Sequence, residues 1–159
     1  MSLKKIISGG QTGVDRGALD ACLEANFPCG GWCTAGRKAE DGEIASRYPL
    51  QEIWSDNYDE RTRKNVRDAD GTLIIYNDKL RGGTLLTHDY ANEVGQPVFL
   101  FKLSPFFIEE PLGQLLHFIK INHIETLNIA GPRASQWDKA YESSLLITSK
   151  LIKEVHWRF

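Results

Sequence analysis

Positive charge is not in surplus in this chain: 19 Lys and Arg residues face 21 Asp and Glu, a formal net charge of −2 at pH 7. That balance argues against a nucleic-acid partner held by broad phosphate neutralisation, so any anion site has to be local, built by a few loops. Long apolar runs are missing as well. None approaches the ~18 residues of a membrane span, and the N-terminal MSLKKIISGG holds no apolar segment of signal-peptide length. The chain is therefore expected to be cytoplasmic, without a membrane partner. Cysteine is scarce and odd in number, at three, which suits a reducing compartment better than a disulfide framework. Cys29 and Cys33 form a C-x3-C pair with no neighbouring His, away from the usual C-x2-C zinc spacing. The four histidines, His88, His117, His123 and His156, show neither metal spacing nor a partnered nucleophile motif such as G-x-S-x-G. No metal site is expected, and only His88 falls near a loop of interest.

What is present suffices for one domain. The 159 residues fit a single unit, 1–159, long enough to bury a core without disulfide or metal. Its 42% hydrophobic and 25% charged residues are ordinary globular values. Apolar strand-like runs at 4–8, 31–34, 50–54, 72–76, 97–101 and 126–130 alternate with amphipathic stretches over 13–26, 56–68, 84–94, 109–121 and 135–155. Val14, Ala18, Ala21, Cys22 and Ala25 share one face of the first predicted helix, Pro28 marks the break after it, and Gly95 closes the third. This alternation predicts an α/β fold in three layers, a mostly parallel sheet with helices on both faces. Trp32, Trp54 and Trp137 are expected in core and rim packing, although Trp32 or Trp137 could stack on a planar ligand.

In such a sheet, ligands bind outside the carboxyl ends of the strands. Three glycine-rich loops should line that rim: SGGQTGVDRG after the first strand, RGGTLLT after TLIIY, and AGPRAS after TLNIA. In the first, Gly9, Gly10, Gln11, Thr12 and Gly13 can offer backbone N–H groups and a helix N-terminus to a phosphate, with Arg16 as a charged donor beside them. Thr12 and Asp15 also fit a capping box, which would explain both without any ligand. Neither the dinucleotide nor the NTPase pattern fits: Ser8 stands where the first glycine of G-x-G-x-x-G belongs, and no G-K-[ST] follows. In the second loop, Gly82, Gly83 and Thr84 either cradle another oxyanion, with Thr84 as N-cap, or form a flexible helix entry. The third combines Gly131, Pro132 and Arg133, where the arginine suits bidentate oxyanion binding, and Ser135 to Asp138 fits a second capping box.

Five blocks in order, SGGQTGVDRGALDACL, GWCTAGRKAEDGEIASRYPLQE, YDERTRKNVRDADGTLII, RGGTLLT and LNIAGPRAS, resemble the putative molybdenum carrier family, over roughly residues 5–150. That family sits in a Rossmann-like superfamily that includes the cytokinin-activating phosphoribohydrolases. The resemblance implies a Rossmann-like sheet, a nucleotide or molybdopterin (molybdenum cofactor) ligand bound through its phosphate at the glycine loops, no further required cofactor, and a homo-oligomer, dimer or tetramer. It also draws in the middle blocks. Arg37 and Lys38 could reach over the ligand or belong to a solvated loop; Arg61 and Asn65, four apart on one helix face, could contribute polar contacts or be solvated helix surface. The phosphoribohydrolases carry P-G-G-x-G-T-x-x-E, whose glutamate takes part in base cleavage. Counting from Gly83-Thr84, that position here is Thr87, which cannot act as a carboxylate acid or base. The expectation is therefore a binding protein without evident catalysis. The alternative is an N-glycosidase acting on nucleoside monophosphates, with Asp15 or the Glu40/Asp41 pair supplying the carboxylate.

Overall fold

The computed structural model describes residues 3–104 and 108–158. The chain runs β1 (Lys5–Ile7), α1 (Val14–Ala25), β2 (Cys29–Gly30), β3 (Trp32–Cys33), β4 (Lys38–Ala39), β5 (Gly42–Glu43), β6 (Gln51–Glu52), α2 (Tyr58–Arg67), β7 (Gly71–Tyr76), α3 (Gly82–Glu93), β8 (Val98–Lys102), α4 (Glu109–Ile121), β9 (Thr126–Ala130) and α5 (Ala140–Arg158). Five strands form an all-parallel sheet in the order β2-β1-β9-β7-β8. The β-branched run of β7 is buried from Gly71 to Ile75, as expected for a strand covered on both faces. From β1 the chain steps one way to β2, whereas β7, β8 and β9 lie on the other side, with β9 inserted beside β1. That reversal is the topological switch point at which ligand crevices open in doubly wound sheets.

Alternation along the strands sends Ile6, Leu73, Ile75, Leu127 and Ile129 into one cluster with Val14, Ala18 and Cys22 of α1 and Ile147 and Leu151 of α5. Each Val, Leu or Ile among them contributes about 1.5–3 kcal/mol by leaving water. A satellite cluster of Leu19, Cys33, Ala39, Ile44, Tyr48 and Leu50 anchors the 34–50 loop onto α1. On α2 the Asn57 side chain accepts the N–H groups of Asp59 and Glu60, with acids in the first turn and Lys64 and Arg67 in the last.

The alternation is realised, with local departures. The stretch predicted as a strand at 31–34 is split at Gly31, whose φ of 127° lets β2 join the main sheet while β3 leaves it to pair with β6 in a side ribbon. The strand predicted at 50–54 is thus not part of the main sheet. Thr12 is not a cap: α1 has Gly13 as N-cap, with no side-chain capping bond. Likewise α3 starts at Gly82 rather than Thr84, with Arg81 as N-cap, and α5 starts at Ala140, because Ser135 is committed elsewhere. Trp137 is buried, but Trp54 is 85% exposed, contrary to its expected packing role. Among the described residues no helix is long and apolar enough to cross a membrane, and no three His, Cys, Asp or Glu side chains converge as a metal site. The side chain of His156 lies outside the described residues.

Candidate functional site

The loop between β1 and α1 spends most of its N–H groups on nearby side chains. The Gly10 N–H donates to Ser8 Oγ at 3.3 Å, the Gln11 N–H to Asp15 Oδ2 at 3.2 Å, and the Thr12 N–H to Gln11 Oε1 at 3.0 Å. Gln11 Oε1 also accepts the Glu40 N–H at 2.9 Å. Thr12 Oγ1 donates to Glu40 and accepts the Ala134 N–H at 3.1 Å. Glu40 in turn receives the Ser135 hydroxyl at 2.6 Å and its N–H at 3.2 Å, with Arg133 Nε 3.7 Å away. Burial pushes the Glu40 carboxyl up, but the hydrogen bonds from Ser135 and Thr12 and the Arg133 charge outweigh it and hold it below the ordinary carboxylate value. Glu40 is therefore a clasp joining the loops after β1 and β9. Gly13 is tied to the same contact: with φ at 81°, a Cβ on it would lie 2.4 Å from the Pro132 carbonyl oxygen.

The opposite wall is built differently. Arg61, on the inner face of α2, is 7% exposed, and its Nη1 donates to the Gly9 carbonyl at 3.2 Å. No carboxylate lies within salt-bridge distance of its guanidinium among the described residues. Asn65, one turn on, clamps the Trp32 backbone, accepting its N–H at 2.8 Å and donating to its carbonyl at 2.9 Å. At the start of α3, Thr84 and Leu85 donate to the Arg81 carbonyl, whereas the N–H groups of Gly82 and Gly83 find no acceptor among the described residues. Nothing lies within 4 Å of where a Gly83 Cβ would be. These are the orphan donors of a helix N-terminus, at its positive end.

The two walls enclose a cavity of about 260 Å³ at the carboxyl ends of β1, β9 and β7. Eleven of the residues picked out from sequence line it: Gly9, Gln11, Asp15, Arg61, Asn65, Gly82, Gly83, Thr84, Thr87, Gly131 and Arg133. Six others stand outside the lining. Gly10, Thr12 and Gly13 shape the first loop, and Pro132 supplies the carbonyl that accepts the Val14 N–H. Arg16 is turned back onto the Gly10 carbonyl (3.0 and 3.1 Å) and paired with Asp41 at 3.1 Å. Arg37 does not reach over the cavity: its guanidinium donates to the carbonyls of Ile44, Ala45, Tyr48 and Leu50, which makes it the brace of its own loop. Neither Trp32 nor Trp137 lines the cavity, nor does His88, which contacts Asp89 and Asn92. Sequence reasoning missed Asn128, Gln136 and Tyr58 in the lining. A polar Asn inside the apolar run TLNIA was the available signal for the first.

Of the cavity's two carboxylates, Asp15 and Asp59, only Asp15 is buried. Burial raises its pKa from 3.8 to about 6, against the lowering pull of Arg61, the Gln11 N–H, Arg16 and the Gly9 N–H. Thr87 donates from Oγ1 to the Gly83 carbonyl at 2.8 Å. The cavity thus pairs a donor wall on α2 and α3 with one buried titratable acceptor at the start of α1.

A family model described as the circularly permutated YpsA SLOG family matches residues 6–152. The fold is also that of a crystal structure of a putative molybdenum carrier protein from Syntrophus aciditrophicus SB, with a TM-score of 0.90, 41% sequence identity, and 94% of each chain covered. No curated protein matches the chain.

Proposed function

This chain belongs to the circularly permutated YpsA SLOG family, and from that premise we propose that its cavity binds a phosphorylated heterocycle, a nucleotide or molybdopterin, without evident catalysis. One observation carries the reading: Arg61, 7% exposed and with no carboxylate within salt-bridge distance among the described residues, lines the same cavity as the Gly82 and Gly83 N–H groups, which find no acceptor among those residues. A buried guanidinium is costly unless its charge is met, and a helix N-terminus beside it offers the matching anion cradle. The phosphate is therefore assigned to the α3 end of the cavity, with Arg133 at its edge, rather than to the Gly9–Gly13 loop, whose N–H groups are largely spent on Ser8, Asp15 and Gln11. The Syntrophus aciditrophicus neighbour is named a putative molybdenum carrier protein, which supports keeping a molybdenum-bearing ligand among the candidates.

Calorimetry with orthophosphate, nucleoside monophosphates and molybdopterin tests this, using Gly83→Leu as the blocked form. Gly83 lines the cavity, and no heavy atom lies within 4 Å of where its Cβ would be, so a side chain can begin there without a clash. Binding to the wild type and its loss in G83L, with thermal stability unchanged, is the expected result; equal binding to both would remove the assignment. Asp15 supports a second reading, the N-glycosidase, because it brings a buried carboxyl with a pKa of about 6 to a cavity whose Thr87 has none. Release of free base from nucleoside monophosphates is its direct assay.

A further inference from the structure

Two cysteines on different elements meet away from the cavity. Cys22 lies in the last turn of α1, fully buried, and Cys29 opens β2, half-buried. Asn26, in the left-handed region at φ 52°, and the Phe27 N–H, which donates to the Cys22 carbonyl at 2.9 Å, reverse the chain between them. That reversal packs Cys29 against the core cluster that holds Cys22, and the two thiols share a hydrogen bond. Neither lines the cavity, so the phosphate reading makes no use of them.

The two thiols are unequal. The hydrogen bond from Cys22 holds the Cys29 thiol below its ordinary pKa, with burial opposing and the nearby Lys5 charge adding to the effect. Lys5 Nζ lies 3.5 Å from where a Cβ on Gly30, the next residue, would stand. The same hydrogen bond and burial push the Cys22 thiol up. A partly exposed thiol beside a cation is the reactive kind, and a buried one with a raised pKa is inert until a partner comes to it. Cys29 also borders the satellite cluster that contains Cys33, but its thiol hydrogen bond goes to Cys22.

We propose that Cys29 and Cys22 form a peroxide-reactive dithiol, Cys29 as the attacking thiol and Cys22 as the resolving one, which closes into an intrachain disulfide between α1 and β2. The Cys29 thiolate attacks one oxygen of a hydroperoxide; an S–O bond forms, the O–O bond breaks, and the departing oxygen takes a proton and leaves as water or an alcohol. Cys29 is then a sulfenic acid. The Cys22 sulfur attacks the Cys29 sulfur; the S–S bond forms, the S–O bond breaks, and the Cys22 proton leaves with the hydroxyl as water. In sum, two thiols and one hydrogen peroxide give one disulfide and two waters. The bond joins the end of α1 to the edge of the sheet.

The test treats the full chain with a small molar excess of hydrogen peroxide at neutral pH, alkylates the remaining thiols after unfolding, and cuts after glutamate. Cleavage after Glu24 separates Cys22 from Cys29 and Cys33, so a bridge to Cys22 keeps the two fragments joined until a reductant is added. The expected result is a Cys22–Cys29 bridge within one chain, with Cys33 alkylated and all three thiols restored by dithiothreitol. In Cys22→Ser, Cys29 should accumulate as a sulfenic acid trapped by dimedone; in Cys29→Ser, peroxide consumption should slow ~10-fold or more. Three thiols surviving in the wild type, a bridge to Cys33, or a bridge between two chains overturns the proposal, and these readouts need no variant. Dimedone capture at Cys22 or Cys33 in place of Cys29 overturns it as well.

Discussion

The loops that follow β1 and β7 look alike in sequence, each a glycine pair or triplet between a strand and a helix, and the fold uses them in opposite ways. After β1, Gly10 and Gly13 take φ values of 78° and 81°, and side chains from within the loop absorb most of its N–H groups. Added Cβ atoms there would meet Leu50 at 2.5 Å and the Pro132 carbonyl at 2.4 Å. After β7, Gly83 borders open space, and the first two N–H groups of α3 find no acceptor among the described residues. The first loop uses glycine to let backbones approach each other; the second leaves room for something else. A glycine-rich loop is thus not evidence of a ligand until its donors have been counted.

The sharpest way to break this contrast is to add one methyl group to each loop. Gly13→Ala combines a left-handed φ with a 2.4 Å backbone clash and should cost about 3 kcal/mol or more, read as a shifted midpoint in urea. If G13A were as stable as the wild type, the structural role given to the first loop would be wrong. Next in size is Asp15→Asn. The folded pKa of about 6 lies above the usual 3.8, so between about pH 4 and 6 the native state holds more protons than the unfolded chain, and stability falls as pH rises through that window. At neutral pH the ionised carboxylate costs on the order of 3 kcal/mol, with Arg61 and Arg16 as the charges that temper it. D15N should therefore melt higher than the wild type at pH 7, and the gap should close toward pH 4; a constant gap across that range would place the titration elsewhere.

Glu40→Gln probes the clasp between the loops. It removes the charge from hydrogen bonds with Thr12 and Ser135 and should cost about 1–2 kcal/mol in chemical denaturation. A loss no larger than that of a typical surface substitution would show that the two loops hold without it. The smallest stability change is expected for Gly83→Ala, neutral to about 0.5–1 kcal/mol stabilising, because a helical glycine is replaced without a clash. Its phosphate affinity should nonetheless drop. A G83A protein that loses stability but keeps its affinity would reverse the assignment of the two loops.

Much of the fold was legible along the chain, since local pattern and tertiary environment agree there. The run over 109–121 matches α4 at both ends, and the buried run TLIIY falls within β7. The misjudged boundaries are those set by distant residues. Ser135 does not cap a helix because Glu40, 95 residues away, takes both its hydroxyl and its N–H. Thr12 fails as a cap for the same reason. Arg37 and Arg61 looked equally free to serve a ligand; one is tied to four carbonyls of its own loop, and the other is buried in the cavity wall.

The sequence by itself determined the α/β alternation and the three glycine loops along one rim, because hydrophobic period and glycine chemistry are properties of neighbouring residues. Only the tertiary structure decided which loop keeps its donors free and which arginine reaches the cavity. A hydrogen bond satisfied from 28 or 122 residues away, as at Thr12, leaves no trace in local pattern, yet it settles whether a group remains available to bind.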